Sequence, residues 1–345
     1  MINSSKDEGA DVRTAARVES CVASRVASRV ASRVASRVAS RELTRLGVAI
    51  VAPAGCTQDP LAVERAVARL EAQGCLVRNH YDHSCIHQRF GGSDAGRLAQ
   101  LDAAVGDPDV HLIVALRGGY GLTRLLPQID FEAIAASGKI VVGFSDLTAL
   151  QMGLLARTGA ASYAGPMIAG DFGAVEPDPF TLGDFWRCLA GPSHTIVENA
   201  IGNPALDLQG TVWGGNLAML VSLLGTPYLP RVEGGILFVE DIAEHPFRVE
   251  RMLLQLMQSG ILARQRALIL GDFSGYRLGP QDNGYDFEAI LGYVLATLPC
   301  PVLTGLRFGH GPHRVTIPLG AHGHLVSDDA GFSLAMRDYP TLRCA

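Results

Sequence analysis

Leu46-Gly-Val-Ala-Ile-Val-Ala-Pro-Ala-Gly55 is a short apolar run, rich in β-branched residues, that ends on Pro53 and Gly55. Residues 59–73 follow it with apolar side chains at helical spacing, so the pair reads as a buried strand and then a helix. The same order returns twice. Leu112-Ile-Val-Ala-Leu116 precedes the turn Arg117-Gly-Gly-Tyr-Gly121, and Lys139-Ile-Val-Val-Gly-Phe144 precedes a helical pattern over 146–157. Strands that are apolar throughout, alternating with helices, predict a parallel sheet covered on both faces. The expected fold class is therefore α/β. An N-terminal doubly wound, mainly parallel sheet of the flavodoxin or amidotransferase kind is followed by a second, smaller α/β domain with a mixed sheet.

Working outward, residues 46–166 make the N-terminal domain. The pattern weakens over 167–205 into Gly, Pro and acidic residues, with one helix near 181–189, and this stretch is read as a linker. Residues 206–335 form the C-terminal domain, with strands expected at 207–211, 235–240, 267–271 and 315–319 and helices at 216–224, 245–260 and 286–298. Upstream, Val-Ala-Ser-Arg repeats five times between Val22 and Arg41. A four-residue period drifts about 40° around a helix at each step, so no lasting apolar stripe forms. Residues 1–45 are expected to be a low-complexity tail, disordered or loosely helical.

The chain has 345 residues, of which 48% are apolar and 18% charged, with 39 Gly and 18 Pro, a globular composition. Its net charge of −5 is uneven: residues 1–46 carry nine basic against five acidic side chains, a balance of +4, which leaves −9 for the rest. An acidic body argues against nucleic acid as a partner, because phosphate contacts need clustered Lys and Arg. No uninterrupted apolar run approaches the ~18 residues of a membrane span, so no membrane partner is expected. The seven cysteines are scattered, odd in number and without C-x-x-C spacing, and read as free thiols in a reducing compartment.

Val141-Val-Gly143-Phe-Ser145-Asp146-Leu-Thr148 puts a serine where a strand stops and a helix starts. That is the setting of a nucleophile elbow, with the hydroxyl exposed above the carboxyl edge of the sheet and a helix N-terminus behind it. Leu147 stands where G-x-S-x-G would have its second glycine, and Ser145 or Asp146 as a plain helix cap accounts for the fragment equally well. Arg117-Gly118-Gly119 emerges at the same edge, where ligands bind. Adjacent glycines there allow close backbone approach and an N–H aimed at a developing oxyanion, although an ordinary glycine turn reads the same. Neither a phosphate loop nor G-x-G-x-x-G is present.

Taken together, Phe90-Gly-Gly-Ser-Asp94 with Arg97, Arg117-Gly-Gly-Tyr-Gly-Leu-Thr-Arg-Leu-Leu126, Gly143-Phe-Ser-Asp-Leu-Thr148, Trp213-Gly-Gly-Asn-Leu217, Leu237-Phe-Val-Glu-Asp241 and Gly309-His310 occur in an order that resembles the LD-carboxypeptidases, serine peptidases acting on muramoyl tetrapeptides. The resemblance runs from about Leu46 to Ser327. It implies Ser145 as nucleophile, Glu240 as the orienting carboxylate and His310 as general base, with the backbone N–H groups of Gly119 and Asp146 as oxyanion hole. A serine needs an imidazole to take its proton, and a carboxylate fixes that imidazole's tautomer. Asp241 and Glu244 rival Glu240, and His313 rivals His310. Arg117, Gly118 and Asn216 are candidate substrate contacts, Asn216 being equally a helix cap, and Arg248 or Arg251 is a weaker one.

The implied function is release of the terminal D-alanine from murein tetrapeptides through an acyl-enzyme, in cell-wall recycling. The implied enzyme is a cytoplasmic homodimer needing no metal or organic cofactor. An alternative within the family is a microcin C immunity-type peptidase that cuts aminoacyl nucleotides, with Phe172, Phe180 or Trp186 as stacking candidates. A non-catalytic peptide-binding protein is a remoter one, and an amidotransferase would want Cys at position 145. The cluster His80-Tyr-Asp82-His83-Ser-Cys85-Ile-His87 is dense in metal-capable groups but lacks a matching second cluster, and reads as a polar loop. His322-Gly-His324 reads as a strand edge or turn.

Overall fold

The computed structural model describes residues 46–342, so the repeat tail, Cys21 and Cys344 lie outside the described residues. The first sheet is built around β1 (Gly47–Val51), every residue of which is buried. β2 (Leu76–Asn79), β3 (Leu112–Ala115), β4 (Ile140–Gly143) and β5 (Ser162–Ala164) join it in parallel in the order β5-β4-β3-β1-β2. The strand order reverses between β1 and β3. In doubly wound sheets that reversal opens a crevice at the carboxyl ends of the strands, where ligands bind.

The second sheet contains β6 (Ser193–Glu198), β7 (Leu206–Asn216), β8 (Gly235–Ile242), β9 (Gln265–Ser274), β10 (Val302–Leu303), β12 (His322–Asp328) and β13 (Gly331–Arg337). Its order is β10-β9-β8-β7-β12-β13-β6, parallel from β10 to β7 and antiparallel from there to β6. The fold is α/β with one mainly parallel and one mixed sheet.

Two segments depart from the sequence reading. The stretch 167–205, expected as a linker with one helix near 181–189, holds that helix at Pro179–Ala190 and, beyond the expectation, the strand β6, which pairs with β13. Asp178 caps that helix, accepting from the amides of Phe180 and Thr181, and strict in-out alternation along β6 buries His194, Ile196 and Glu198. The strand expected at 315–319 in the C-terminal domain is β11 (Ile317–Leu319), and it crosses over to add antiparallel to β5 of the first sheet. Residues 304–316, with neither helix nor strand, make that crossing between the sheets.

The helix Thr148–Thr158 lies between the two units, against β7 and the helix Leu217–Ser222. Its residues 148–154 are all buried, which explains why it shows little amphipathic period. Buried Gln151 donates to the carbonyls of Gly143 (3.0 Å) and Tyr163 (2.7 Å), tying the helix to the ends of β4 and β5. No helix among the described residues is long and apolar enough to cross a membrane.

Candidate active site

β4 ends at Gly143, and the chain enters a single 3₁₀ turn, Ser145–Leu147, before the helix Thr148–Thr158. Ser145 has φ +62°, a left-handed conformation that costs a non-glycine residue on the order of 1–3 kcal/mol and persists only where its surroundings enforce it. Gly118, just beyond β3, is part of that enforcement. A Cβ there would lie 2.6 Å from Ser145 Cβ and 2.7 Å from its Oγ. Asp146 turns inward and accepts the Leu122 amide at 3.0 Å, joining the turn after β4 to that after β3. Its burial raises the carboxyl pKa above the usual range.

Glu240 stands near the end of β8, fully buried, where the pairing of β8 with β9 shifts register between Val239 and Asp241. Such an irregularity re-aims side chains, and here two consecutive acidic residues are both buried in defined contacts. Glu240 Oε2 lies 2.7 Å from His310 Nδ1. An ionised carboxylate only accepts, so the proton between them sits on Nδ1 and Nε2 is left as an acceptor. Gly309, at φ +139°, lets the crossing chain come this close, since a Cβ there would be 3.2 Å from Glu240 Oε2. The His310 imidazole packs on the Phe144 ring with centroids 4.9 Å apart.

Asn216 ends β7 and caps the helix Leu217–Ser222 through its side-chain oxygen. Its Nδ2 donates to Glu240 Oε1 (3.2 Å) and Asp241 Oδ1 (2.9 Å), and its own amide donates to Thr148 Oγ1 (3.1 Å). Asn216 thus connects the helix that follows Ser145 to the carboxylate that holds His310. Asp241 also accepts from the amides of Ala218 and Ile242 (both 2.9 Å), and burial pushes its pKa up to about 6.

Ser145 and His310 line one open cavity of about 540 Å³, together with Thr57–Asp59 beyond β1, Arg117–Gly119 beyond β3, Met167 and Ala169–Asp171 beyond β5, and Arg314. Its position is the crevice where the strand order reverses. Arg117 donates to the Cys56 carbonyl at 3.1 Å and, among the described residues, forms no salt bridge, so its charge faces the cavity without a counter-ion.

Asp241 shares Asn216 with Glu240, and the other rivals named from sequence have partners of their own. His313 bonds Asp178 at 3.0 Å, and Glu244 pairs with Arg248 at 3.5 Å. Arg248 and Arg251 lie beside Phe247, away from the cavity lining. Phe172 and Trp186 pack with Phe185 in the interior, and Phe180 lies under the Arg307 guanidinium. His83 bonds the Tyr81 hydroxyl at 2.8 Å, His322 and His324 pair across to Gln209 and Asp207 of β7, and no metal-holding cluster occurs among the described residues. Thr148, Asp171 and Arg314 were not legible as site residues, because their contacts join segments far apart in the sequence.

Sequence profiles for the LD-carboxypeptidase N-terminal and C-terminal domains match residues 48–165 and 209–325. A murein tetrapeptide carboxypeptidase of Pseudomonas aeruginosa is 31% identical over 283 residues, 79% of this chain and 91% of that protein. The chain belongs to the LD-carboxypeptidase family. Family membership makes it a relative of peptidases and places Ser145 in the profile-matched N-terminal part, Glu240 and His310 in the C-terminal part. The solved muramoyltetrapeptide carboxypeptidase of Oxalobacter formigenes superposes with a TM-score of 0.81 at 47% identity, over 86% of this chain and all of that one. The chain is also similar to the microcin C7 self-immunity protein of Escherichia coli, 27% identical over 278 residues, 70% of this chain and 79% of that protein.

Proposed function

We propose that this protein is a serine carboxypeptidase that removes the terminal D-alanine from murein tetrapeptides. The observation that carries the reading is the convergence, in one cavity, of a serine held at positive φ and a histidine whose Nδ1 is bonded to a fully buried glutamate. Ser145 Oγ attacks the carbonyl of the penultimate residue while His310 Nε2 takes its proton, and Glu240 stabilises the imidazolium. The amides of Gly119 and Asp146 hold the developing oxyanion. His310 then protonates the departing D-alanine amine, and water hydrolyses the acyl-enzyme by the same route reversed. Arg117, without a counter-ion, receives the terminal carboxylate of the peptide, which is what restricts cleavage to the chain end.

Support for an aminoacyl-nucleotide substrate is weaker, because of the three stacking candidates Phe172 and Trp186 are engaged with Phe185 and Phe180 lies against the Arg307 guanidinium. The test offers the purified protein murein tetrapeptide, the corresponding tripeptide and an aminoacyl sulfamoyl adenosine in parallel. Release of D-alanine from the tetrapeptide alone is expected. Cleavage of the nucleotide conjugate without D-alanine release would replace the reading.

A further inference from the structure

We propose that Arg314 is a positioning residue that fixes the nucleophile and the general base relative to one another; the inference rests on the Ser145 and His310 reading above. His310 sits in the crossing stretch 304–316, which has neither helix nor strand, so no ladder of hydrogen bonds holds it. Besides Glu240 and the Phe144 ring, which touch the imidazole itself, the Arg314 side chain, only 8% exposed, braces this stretch. Its Nε donates at 3.0 Å to the carbonyl of Gly309, the residue before His310. Its guanidinium carbon lies 4.2 Å from the ring centroid of Phe144, the residue before Ser145, and that same ring packs on the imidazole. Nη1 pairs with the carboxylate of Asp171, whose other oxygen accepts the Met167 amide at 2.7 Å. The Arg314 amide in turn donates to Thr181 Oγ1 at 2.9 Å.

One planar cation therefore meets the chain leaving β4, the chain leaving β5 and the crossing chain that carries His310. A buried ion pair is a weak contributor to stability, since desolvation offsets most of its attraction, and geometric definition is the better-attested reason to keep one. The guanidinium suits that role. It donates in a fixed fork and stacks flat on an aromatic face at once, which an ammonium does not do. Removing it leaves the Asp171 carboxylate unpaired, the Gly309 carbonyl without its donor and the Phe144 ring uncovered, and all three segments gain freedom next to the reacting atoms.

The experiment measures D-alanine release, with kcat and KM separated, for Arg314→Ala, Arg314→Lys and Asp171→Asn beside the wild type, with thermal melting of each. Displacements of about 1 Å at a reacting centre cost on the order of 10²-fold, so Arg314→Ala is expected to lose about that in kcat with KM within about threefold. Arg314→Lys is expected to recover only part of the loss. Millimolar guanidinium is expected to restore turnover to Arg314→Ala by at least about tenfold while leaving the wild type unchanged, a response that a general loss of stability would not give. If Arg314→Ala does not fold, Asp171→Asn, which keeps the cation but unties it, is expected to lose about tenfold in kcat at constant KM. A kcat within about threefold of wild type in whichever of these folds, or a loss confined to KM, overturns the proposal. Ser145→Ala separates the two levels of the argument. If it stays active the underlying reading falls and this one with it, whereas an inactive Ser145→Ala beside a fully active Arg314→Ala removes the positioning role alone.

Discussion

Replacing Gly118 with alanine tests whether the strand ends hold Ser145, the proposed nucleophile, in place. Gly118 is not among the residues at positive φ, so its backbone accepts an alanine and the perturbation is purely steric. The added methyl would meet Ser145 Cβ at 2.6 Å, Oγ at 2.7 Å and the Asp146 amide nitrogen at 3.2 Å. Reaching an ordinary contact of 3.4 Å requires a retreat of about 0.8 Å by one side or the other. Neither side yields easily, because β3 and β4 are adjacent, hydrogen-bonded and wholly buried. Overpacking of this kind costs about 1–3 kcal/mol, and each kcal/mol lowers the melting temperature by about 2–4 °C in a chain of this size class. A nucleophile displaced by close to 1 Å costs about 10²-fold in kcat. The assay pairs D-alanine release with thermal melting. Gly292→Ala is the control, since nothing lies within 4 Å of its added Cβ and it sits inside the helix Phe287–Thr297, where alanine gains about 1 kcal/mol. Activity of Gly118→Ala within about threefold of wild type, with an unchanged melting temperature, would refute the argument that this contact sets Ser145.

Arg117→Ala is expected to raise KM for the tetrapeptide by at least about tenfold with a smaller change in kcat, and an unchanged KM would assign the terminal carboxylate to another group. Thr148→Val keeps the shape but strands the buried Asn216 amide, which costs about 1–3 kcal/mol and is read as a lower melting temperature accompanied by a fall in kcat. Asp241 carries a folded-state pKa raised to about 6 by burial, above its unfolded value, so its contribution to stability is fully present at low pH and is lost as pH rises through 6. The melting temperature of the wild type relative to Asp241→Asn is therefore expected to fall between pH 4.5 and 7.5, and a constant difference would contradict the assignment.

The parts of this molecule that were legible in its sequence are those whose signal is local. β1, β3 and β4 are continuous apolar runs because a parallel sheet covered on both faces leaves them no exposed side, and the order strand, serine, helix around Ser145 is contained in one short segment. The pairing of Glu240 with His310 spans 70 residues, and local sequence separates His310 from His313 only weakly, so the family resemblance carried most of that choice. In space the choice rests on Gly309 passing close to Glu240 and on Asp178 engaging His313. The crossing of β11 into the first sheet left no sequence signal, because a three-residue buried strand carries no information about its partner. Residues 167–205 looked like a linker because Gly, Pro and Asp there serve as caps and turns around the helix Pro179–Ala190 and β6 rather than as a flexible joint. Arg314 shows the limit most plainly. Nothing local singles out an arginine four residues past a histidine in a glycine- and proline-containing loop, and only the fold reveals that it is buried among Phe144, Asp171 and Gly309.

The central claim is that Ser145 is the nucleophile, and the most direct measurement is D-alanine release from murein tetrapeptide by Ser145→Ala compared with the wild type, each shown to be folded by its melting transition. Losing the nucleophile of a serine triad costs on the order of 10⁴–10⁶-fold in kcat, and a loss of that size is the predicted result. Release by Ser145→Ala within about tenfold of the wild type would contradict the account, because no acyl-enzyme can form on the residue that replaces the serine.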